Sequence, residues 1–193
     1  MTLEQRIASY ERVFPQLKGT LWIATTGAGN AARRWLYGHF SIGNEYSNTS
    51  SYYGAFPRSF PERIAALFPD VADANTLHVF SGSLPLGNYT RLDINPALHT
   101  ELVGNVYDLP SLTARRFRLV IADPPYSAED AKQYGTSGLD RGRAMRAIAE
   151  VTEPGGHVVW LDTAWPMHRK DQWEYYGAIA RVRQISLFQR RAA

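Results

Sequence analysis

The sequence predicts an α/β fold built around a mostly parallel β-sheet, and three observations lead to this prediction. From Thr76 onward, short apolar segments rich in valine, isoleucine, leucine and phenylalanine recur, as expected of buried strands. A segment with the periodicity of an amphipathic helix lies between two of them. Hydrophobic residues make up 45% of the 193 residues, which suits one domain with a sizeable core. Strands that alternate with helices are typical of parallel sheets.

Residues 1–75 are predicted to form a helical and loop-like extension of this single domain, and residues 76–193 its sheet core. A first helix is indicated by apolar residues at helical spacing, namely Leu3, Ile7, Tyr10 and Phe14. A glycine turn at Gly27 is followed by a predicted helix from about Asn30. Pro61 stands at the first position of another short predicted helix, PERIAALFP.

The sheet core is predicted to contain five strands and two helices. The strands cover residues 76–80, 90–94, 117–122, 157–162 and 181–188. The first helix ends before Pro154-Gly155-Gly156, and its apolar face carries Ala144, Ala147, Ile148 and Val151. A second helix is expected within residues 163–180. Because ligands of parallel sheets bind at the carboxyl ends of the strands, the residues that follow each strand are the candidates for function.

The tetrapeptide Asp123-Pro124-Pro125-Tyr126 directly follows one of the predicted strands and suits the binding of a planar amine. A carboxylate can accept a hydrogen bond from an amino N–H, and a turn fixed by two prolines can present a carbonyl as a second acceptor. An aromatic ring beside them can stack on a flat base. The amino nitrogen of adenine or cytosine is a poor nucleophile because its lone pair is delocalised. Two acceptors on its hydrogens favour the pyramidal, nucleophilic form.

The segment IADPPYS resembles motif IV of the amino-methyltransferases that make N6-methyladenine or N4-methylcytosine. These enzymes are a branch of the class I S-adenosylmethionine-dependent methyltransferases. The resemblance covers about Thr76 to Asp162 and implies a Rossmann-like sheet with helices on both faces. The catalytic residues that it implies are Asp123, Pro124, Pro125 and Tyr126. In this family the carboxylate and the carbonyl after it bind the target amino group, and the aromatic ring stacks on the base.

Three further segments stand in the order of the family and imply a site for S-adenosylmethionine. The loop Phe80-Ser81-Gly82 resembles the first cofactor motif, which lies against the methionine part of the cofactor. Asp93 ends the next strand, where an acidic residue would accept hydrogen bonds from ribose hydroxyls. The segment VGNVYDLP resembles the one that contacts the cofactor's adenine. Its implied contacts are Asn105 and the backbone of Val106, with Asp108 as a helper.

The cofactor half of the predicted fold is compressed. Only seven residues separate Gly82 from Thr90, whereas a parallel crossover usually needs about a dozen, so the usual helix cannot fit. We therefore expect the N-terminal segment to supply the missing layer. In this hypothesis the turn at Gly27 leads into a helix whose N-terminus binds the carboxylate of the cofactor's methionine. The alternative is that Gly27 and Gly29 form an ordinary loop.

Nucleic acid is the partner that the resemblance implies, with adenine N6 in DNA ranked first. DNA cytosine, RNA adenine and a protein glutamine amide share the same chemistry and stay open as targets. A base must be single-stranded or flipped out to reach the clamp. Side chains that could contact the strand are Tyr46, Tyr52, Tyr53, Arg141, Arg143 and Arg146. The alternative from a different class is a degenerate fold that binds nucleic acid or cofactor without catalysis.

Composition narrows the remaining possibilities. The net charge of +3 permits an anionic partner without demanding one. The absence of cysteine excludes disulfides and a thiolate nucleophile, and it fits a reducing compartment such as the cytoplasm. No two of the five histidines share a metal-ligand spacing, so no metal site is expected. No membrane association is expected either, since no apolar run approaches the roughly 20 residues that cross a bilayer.

Overall fold

The computed structural model describes residues 1–29, 32–40, 56, 59–125, 138–180 and 184–191. Within these residues, four α-helices flank one sheet of nine strands. The strands are β1 (Leu21–Thr26), β2 (Arg33–His39), β3 (Thr76–Val79), β4 (Thr90–Asp93), β5 (Leu102–Val103), β6 (Phe117–Ala122), β7 (Thr152–Asp162), β8 (Trp173–Ala180) and β9 (Gln184–Arg190). The helices are α1 (Leu3–Val13), α2 (Phe60–Leu67), α3 (Leu109–Leu112) and α4 (Arg141–Val151).

The strand order in the sheet is β1-β2-β8-β9-β7-β6-β3-β4-β5. β3 pairs in parallel with β4 on one side and with β6 on the other, so the chain reverses its course across the sheet at β3. Only β1 and β9 run antiparallel to their neighbours. The predicted α/β fold with a mostly parallel sheet is therefore confirmed. A reversal of this kind creates the crevice in which open α/β sheets bind ligands.

Helices cover both faces of the sheet, as the resemblance implies. α1 and α2 pack on one face, where Tyr10 and Phe60 belong to the same buried cluster as Ile121 of β6. α3 and α4 pack on the other face, where Ile148 joins a cluster with Trp160. Because the buried residues of the N-terminal cluster include members of β6 but none of β3 or β4, the hypothesis that the N-terminal segment replaces the layer missing at the short crossover stays a prediction. Among the described residues, no helix has the length and hydrophobicity needed to cross a membrane.

Residues 21–39 contain a β-hairpin, so the helix predicted from about Asn30 is wrong. β1 and β2 pair antiparallel along their whole lengths. In β2, Leu36 and Gly38 are buried while their neighbours are more exposed, which is the alternation of a strand and not of a helix. Aromatic residues in both strands, and β-branched residues in β1, favour this outcome. Because β2 also pairs in parallel with β8, residues 1–75 contribute to the sheet as well as to a helical extension.

The strands predicted for residues 76–193 are present in the structure, but the segment before the last of them differs from the prediction. The five predicted strands correspond to β3, β4, β6, β7 and β9. The helix expected within residues 163–180 is wrong, because the end of this segment forms β8. Trp173, Gly177 and Ile179 are buried at alternate positions of β8, which lies between β2 and β9. β2 is distant in sequence, so the strand depends on a pairing that no local pattern shows.

A buried polar network joins the N-terminal helices to the sheet. Arg6 is 3% exposed and donates from Nη1 to Asp70 Oδ1 at 2.9 Å. Its Nη2 lies 3.1 Å from His157 Nε2, and His157 Nδ1 lies 3.2 Å from the Tyr176 hydroxyl. Because a guanidinium can only donate, Nε2 is the acceptor and the imidazole proton resides on Nδ1. His157 is therefore a satisfied core histidine, as its position in a predicted strand indicates.

Acidification is expected to destabilise the protein because two buried histidines resist protonation in the folded state. Burial lowers the pKa of His157 to about 3, with a further contribution from the charge of Arg6, and burial lowers the pKa of His78 to about 4. Below the ordinary pKa of about 6.5, the unfolded chain binds these protons and the folded chain does not, so stability falls as pH falls. Each histidine contributes up to about 1.4 kcal/mol for every pH unit in this window.

Urea unfolding at pH 7 and at pH 5 checks this expectation. The loss of unfolding free energy between the two pH values should shrink when His157 is replaced by glutamine, whose amide oxygen can still accept from Arg6. The same replacement at the exposed His39 should leave the loss unchanged. An equal loss in all three proteins would show that the buried imidazole of His157 does not govern the acid response.

Candidate active site

The loops that follow β3 and β6 meet at the point where the strand order reverses. The residues of these loops are Phe80, Ser81 and Gly82 after β3, and Asp123, Pro124 and Pro125 after β6. The backbone N–H of Asp123 donates to the carbonyl of Val79 at 3.4 Å, so the two loops leave the sheet side by side. Pro124 is buried and Asp123 is half-buried. The sheet thus brings the predicted amine clamp next to the first predicted cofactor loop.

The loop after β3 has an unusual backbone conformation. Phe80 has a φ of 60° and Gly82 a φ of 52°, both in the left-handed region that a phenylalanine rarely adopts. Ser81 lies between them and donates its N–H to the carbonyl of Leu92 at 3.1 Å. Its buried Oγ has no hydrogen-bond partner among the described residues. Backbone strain and unsatisfied buried hydroxyls are features that recur at ligand-binding sites, so this loop stays the candidate for cofactor binding.

Asp93 anchors this loop from the end of β4. Its Oδ2 accepts from the N–H of Gly82 at 2.9 Å, and its Oδ1 accepts from the N–H of Asn95 at 3.0 Å. The residue is only 8% exposed. A carboxylate offers about four acceptor positions, so a ribose hydroxyl could bind in addition to these two groups. Asp93 therefore has a structural role that the sequence does not indicate, and this role is compatible with the predicted one.

The third predicted cofactor segment lies beside Asp93. The N–H of Gly104 donates to the Asp93 carbonyl at 3.0 Å. The side-chain oxygen of Asn105 accepts from the backbone N–H two residues later at 3.0 Å and caps a short 3-10 helix. Val106 is buried, with 3% of its surface exposed, whereas Asp108 is exposed. All three predicted cofactor segments of the sheet core therefore lie at the same end of the sheet, where β3, β4 and β5 have their carboxyl ends.

Arg91 and Glu101 hold the compressed crossover in place of a helix. Arg91 donates from Nε to Glu101 Oε2 at 3.1 Å and from Nη2 to Oε1 at 2.8 Å. Its Nη1 also donates to the Leu84 carbonyl at 2.8 Å, and its Nη2 to the His99 carbonyl at 3.1 Å. The hydrogen bonds from Arg91 lower the pKa of Glu101. One buried guanidinium thus fixes both connections that flank β4, a role that sequence reasoning does not reveal.

The beginning of α4 is fixed to the neighbouring segments by three side chains. The hydroxyl of Tyr107 accepts from the N–H of Asp140 at 2.7 Å, and the guanidinium of Arg143 lies 4.4 Å from the centre of the Tyr107 ring. Arg141 binds Asp162 through two contacts, Nε to Oδ2 at 2.7 Å and Nη2 to Oδ1 at 3.1 Å. Two of the three arginines that were candidates for phosphate contacts therefore make contacts within the protein.

Gly27 lies far from these loops, and the segment that follows it forms β2 instead of the helix on which its predicted role in cofactor binding depends. With a φ of 83°, Gly27 directly follows β1 at the start of the hairpin connection and opens no helix. Five strands separate β1 from β3, which corresponds to roughly 25–30 Å at ordinary strand spacing. Because β2 runs parallel to β8 and, through β9, to β7, the hairpin turn lies at the amino ends of the central strands. The site lies at their carboxyl ends.

Several predicted site residues lie outside the described residues. They are Tyr126 of the clamp and the loop tyrosines Tyr46, Tyr52 and Tyr53. Their predicted roles in stacking stay predictions. Over the part of the chain that the structure describes, no group of three or more histidine, cysteine, aspartate or glutamate side chains could hold a metal ion.

Comparisons with known proteins bear on the fold. No protein-family model matches the sequence, and no curated protein matches it. TrmN from Thermus thermophilus aligns with 72% of this chain at 13% identity and a TM-score of 0.52. YhhF from Escherichia coli, a proposed methyltransferase, aligns with 79% of it at 17% identity and a TM-score of 0.54. The chain shares their fold.

The two similar structures differ in how much of their own length is matched. The alignment covers 97% of the YhhF chain but only 50% of the TrmN chain. At these identities the likeness establishes the course of the chain through the sheet, and it assigns no role to any residue. The Rossmann-like fold that the resemblance implies is thus confirmed, and an activity must be argued from the site itself.

Proposed function

We propose that this protein transfers a methyl group from S-adenosylmethionine to an exocyclic amino group of a nucleobase. The observation that carries the proposal is the position of Asp123, Pro124 and Pro125. They leave β6 at the reversal of the strand order, directly beside the strained loop that follows β3. The proposed clamp for an amine and the loop proposed to bind the cofactor therefore leave the sheet side by side. The description of YhhF as a proposed methyltransferase is consistent with this chemistry.

The loops after β3 and β4 carry polar groups that can bind S-adenosylmethionine. The buried Oγ of Ser81, which lacks a partner among the described residues, can donate to or accept from a polar group of the cofactor. Asp93 retains acceptor positions for ribose hydroxyls. The turn that the side chain of Asn105 caps is the second group proposed to contact the cofactor. When bound, S-adenosylmethionine supplies an electrophilic methyl group on a sulfonium centre.

The clamp acts on the nucleophile. The Asp123 carboxylate and the Pro124 carbonyl would each accept one hydrogen bond from the target amino group and so favour its pyramidal form. Pro125 has no N–H and a fixed φ, so it keeps the carbonyl before it in place. Electrostatic groups of this kind contribute about 10²- to 10³-fold to a rate. Tyr126 is proposed to stack on the base and complete the clamp.

Adenine N6 in DNA is the target that we rank first, because the IADPPYS segment is similar to enzymes that modify this group. The net charge of +3 permits a polyanionic substrate. The base must leave the helix or be single-stranded to reach a half-buried carboxylate. Cytosine in DNA, adenine in RNA and a glutamine amide present the same amino chemistry and are the competing substrates.

A second candidate function is binding of cofactor or nucleic acid without catalysis. It is favoured by one observation, since both oxygens of Asp93 already accept hydrogen bonds from the protein backbone. If these bonds leave no room for a ribose, S-adenosylmethionine would bind weakly or not at all.

Nucleoside mass spectrometry distinguishes these functions. The purified chain is incubated with S-adenosylmethionine and with single-stranded and duplex DNA and RNA, and the digested nucleosides are analysed for added methyl groups. N6-methyladenine from DNA is the expected product. Absence of any product, together with no heat of cofactor binding in calorimetry, would contradict the proposed activity. Methylation of cytosine or of RNA alone would retain the reaction but change its target.

A further inference from the structure

A cavity with a volume of about 320 Å³ lies between α3, the end of α4 and the amino ends of β6 and β7. Arg116 directly precedes β6, and Val151 is the last residue before β7, whereas the candidate active site lies at the other end of these strands. β6 has six residues, so the two places are roughly 20 Å apart at about 3.3 Å per residue. The residues that line the cavity are Pro110, Thr113, Ala114, Arg115, Arg116, Ala149, Glu150, Val151 and Arg190.

Positive charge predominates in the lining of this cavity. Three arginines and one glutamate give it a net charge of +2. The charged residues are Arg115, Arg116, Arg190 and Glu150. Within the part of the chain that the structure describes, none of these four side chains belongs to an ion pair. Because Glu150 offsets only one of the three positive charges, the cavity favours an anionic ligand.

Two of the arginines are held in place by neutral groups. Arg190 donates from Nε to the Ala149 carbonyl at 3.3 Å, in the last turn of α4, and from Nη1 to the Gln172 carbonyl at 3.2 Å. Arg115 donates from Nη2 to the Ala74 carbonyl at 2.8 Å. Carbonyl oxygens have no net charge, so these contacts fix the guanidinium groups without neutralising them. Groups that are already fixed lose less conformational freedom when they bind a ligand.

Arg116 contributes hydrogen-bond donors that no other described residue uses. It is exposed, and its guanidinium makes no hydrogen bond or ion pair with the described residues. The Nη2 group of Arg190 also remains available, because the two contacts of that side chain use Nε and Nη1. An exposed arginine is common on a protein surface. Arg116 differs in lining a cavity together with two guanidinium groups that the protein holds in place.

We propose that this cavity, which we name the arginine cavity, binds a phosphate group. A phosphate monoester has a charge of about −1.5 to −2 near pH 7 and three acceptor oxygens, which match a net charge of +2 and several guanidinium donors. A carboxylate can be bound by one guanidinium and would leave the other arginines unmatched. The inference goes beyond the proposed function and does not depend on it, because the cavity shares no residue with the candidate active site.

An NMR titration of the ¹⁵N-labelled chain with glycerol 3-phosphate tests the site. The amide resonances of Arg116 and Val151 should shift with one saturation curve, and glycerol, which lacks the phosphate, should leave them in place. Arg116→Gln should weaken the binding about 10-fold, the effect of losing one charge-assisted hydrogen bond. The matched control is Arg12→Gln, since Arg12 is an exposed arginine of α1 on the other face of the sheet and should not affect binding.

A second variant and a measurement of stability guard against an effect on folding. Arg116→Gln removes no contact with the described residues, so its free energy of unfolding in urea should equal that of the wild type. Arg190→Gln should weaken the binding of glycerol 3-phosphate about 10-fold or more, because Arg190 is half-buried and fixed. Its unfolding free energy is measured in parallel, since Arg190 also contacts the end of α4.

Fluorescence anisotropy with a labelled single-stranded oligonucleotide distinguishes two sources of the phosphate. If the phosphate belongs to nucleic acid, Arg116→Gln should reduce the slope of log affinity against log salt concentration by about 0.7, the value for one contact on a single strand. Glycerol 3-phosphate should then compete with the oligonucleotide. If the phosphate belongs to a small molecule, Arg116→Gln should bind the oligonucleotide as the wild type does and bind glycerol 3-phosphate more weakly. Both results support the arginine cavity as a phosphate site.

Two results would overturn the inference. The first is an absence of saturable shifts at Arg116 and Val151 with glycerol 3-phosphate, together with unchanged oligonucleotide binding by Arg116→Gln. The second is an equal loss of affinity in Arg116→Gln and Arg12→Gln, because the overall charge of the protein would then account for the binding. Methyl transfer enters none of these measurements. If the wild-type protein transfers no methyl group, the proposed function fails and the titration still decides on the arginine cavity.

Discussion

Replacing Asp123 by asparagine is expected to lower the rate of methyl transfer by about 10²- to 10³-fold. Asparagine keeps the size of the side chain, but it removes the negative charge and places an NH2 group where an acceptor is required. The lost interaction acts in the transition state, so kcat should fall while the affinity for S-adenosylmethionine stays close to that of the wild type. Single-turnover transfer of a labelled methyl group, combined with calorimetry of cofactor binding, measures both quantities.

A matched control for this variant is Asp73→Asn, which changes an exposed carboxylate that precedes β3, at the opposite end of the sheet from the loops of the site. It should retain wild-type rate and affinity. Asp123→Ala should be at least as impaired as the asparagine variant because it leaves no acceptor at all. A rate within about twofold of wild type in Asp123→Asn would show that the carboxylate does not act on the amine, and the clamp would have to be abandoned.

Replacing Asp162 by alanine is expected to cost about 3–5 kcal/mol of unfolding free energy. Asp162 is only 1% exposed. Its carboxylate accepts from Arg141, from the indole N–H of Trp160 at 3.0 Å and from the backbone of Thr163 and Ala164. Removing it leaves several buried N–H groups without an acceptor and takes from the partly buried guanidinium of Arg141 both contacts with this carboxylate, and such losses are costly. Urea unfolding monitored by fluorescence gives the change directly.

The comparison that isolates burial is Asp171→Ala. Asp171 also forms an ion pair with an arginine, Arg169, but both partners are largely exposed. Exposed ion pairs contribute little because water screens them, so this variant should unfold almost as the wild type does. If Asp162→Ala were equally mild, the end of β7 would not be held by its carboxylate, and α4 would need another anchor beside the site.

The features that the sequence predicts well are those with a local signal. β3, β4 and β6 are short apolar segments, and the candidate residues Gly82, Asp93 and Asp123 lie at their ends or within three residues after them, so both the strands and the positions of the candidate residues follow from the chain itself. Parallel strands bring their carboxyl ends together, which is why residues from three predicted segments meet at one edge. The short crossover between β3 and β4 is also visible as a simple count of residues.

The features that the sequence does not reveal depend on pairings between distant segments. β8 is a strand because it lies between β2 and β9, and the pairing of Leu36 with Gly177 has no local signature. The same holds for side chains that fix the site, such as Tyr107 with Asp140, because their meeting depends on how two connections leave the sheet. Gly27 illustrates the opposite error, since a glycine turn alone does not distinguish a hairpin from the beginning of a helix.

The most direct test of the site's location is an NMR titration of the ¹⁵N-labelled chain with S-adenosylmethionine. If the cofactor binds at the carboxyl ends of β3 and β4, the amide resonances of Ser81, Gly82 and Val106 should shift with a single saturation curve. The amide of Gly27, at the opposite edge and end of the sheet, should not move. Shifts at Gly27 with none at Ser81 and Gly82 would place the cofactor elsewhere and contradict the proposed active site.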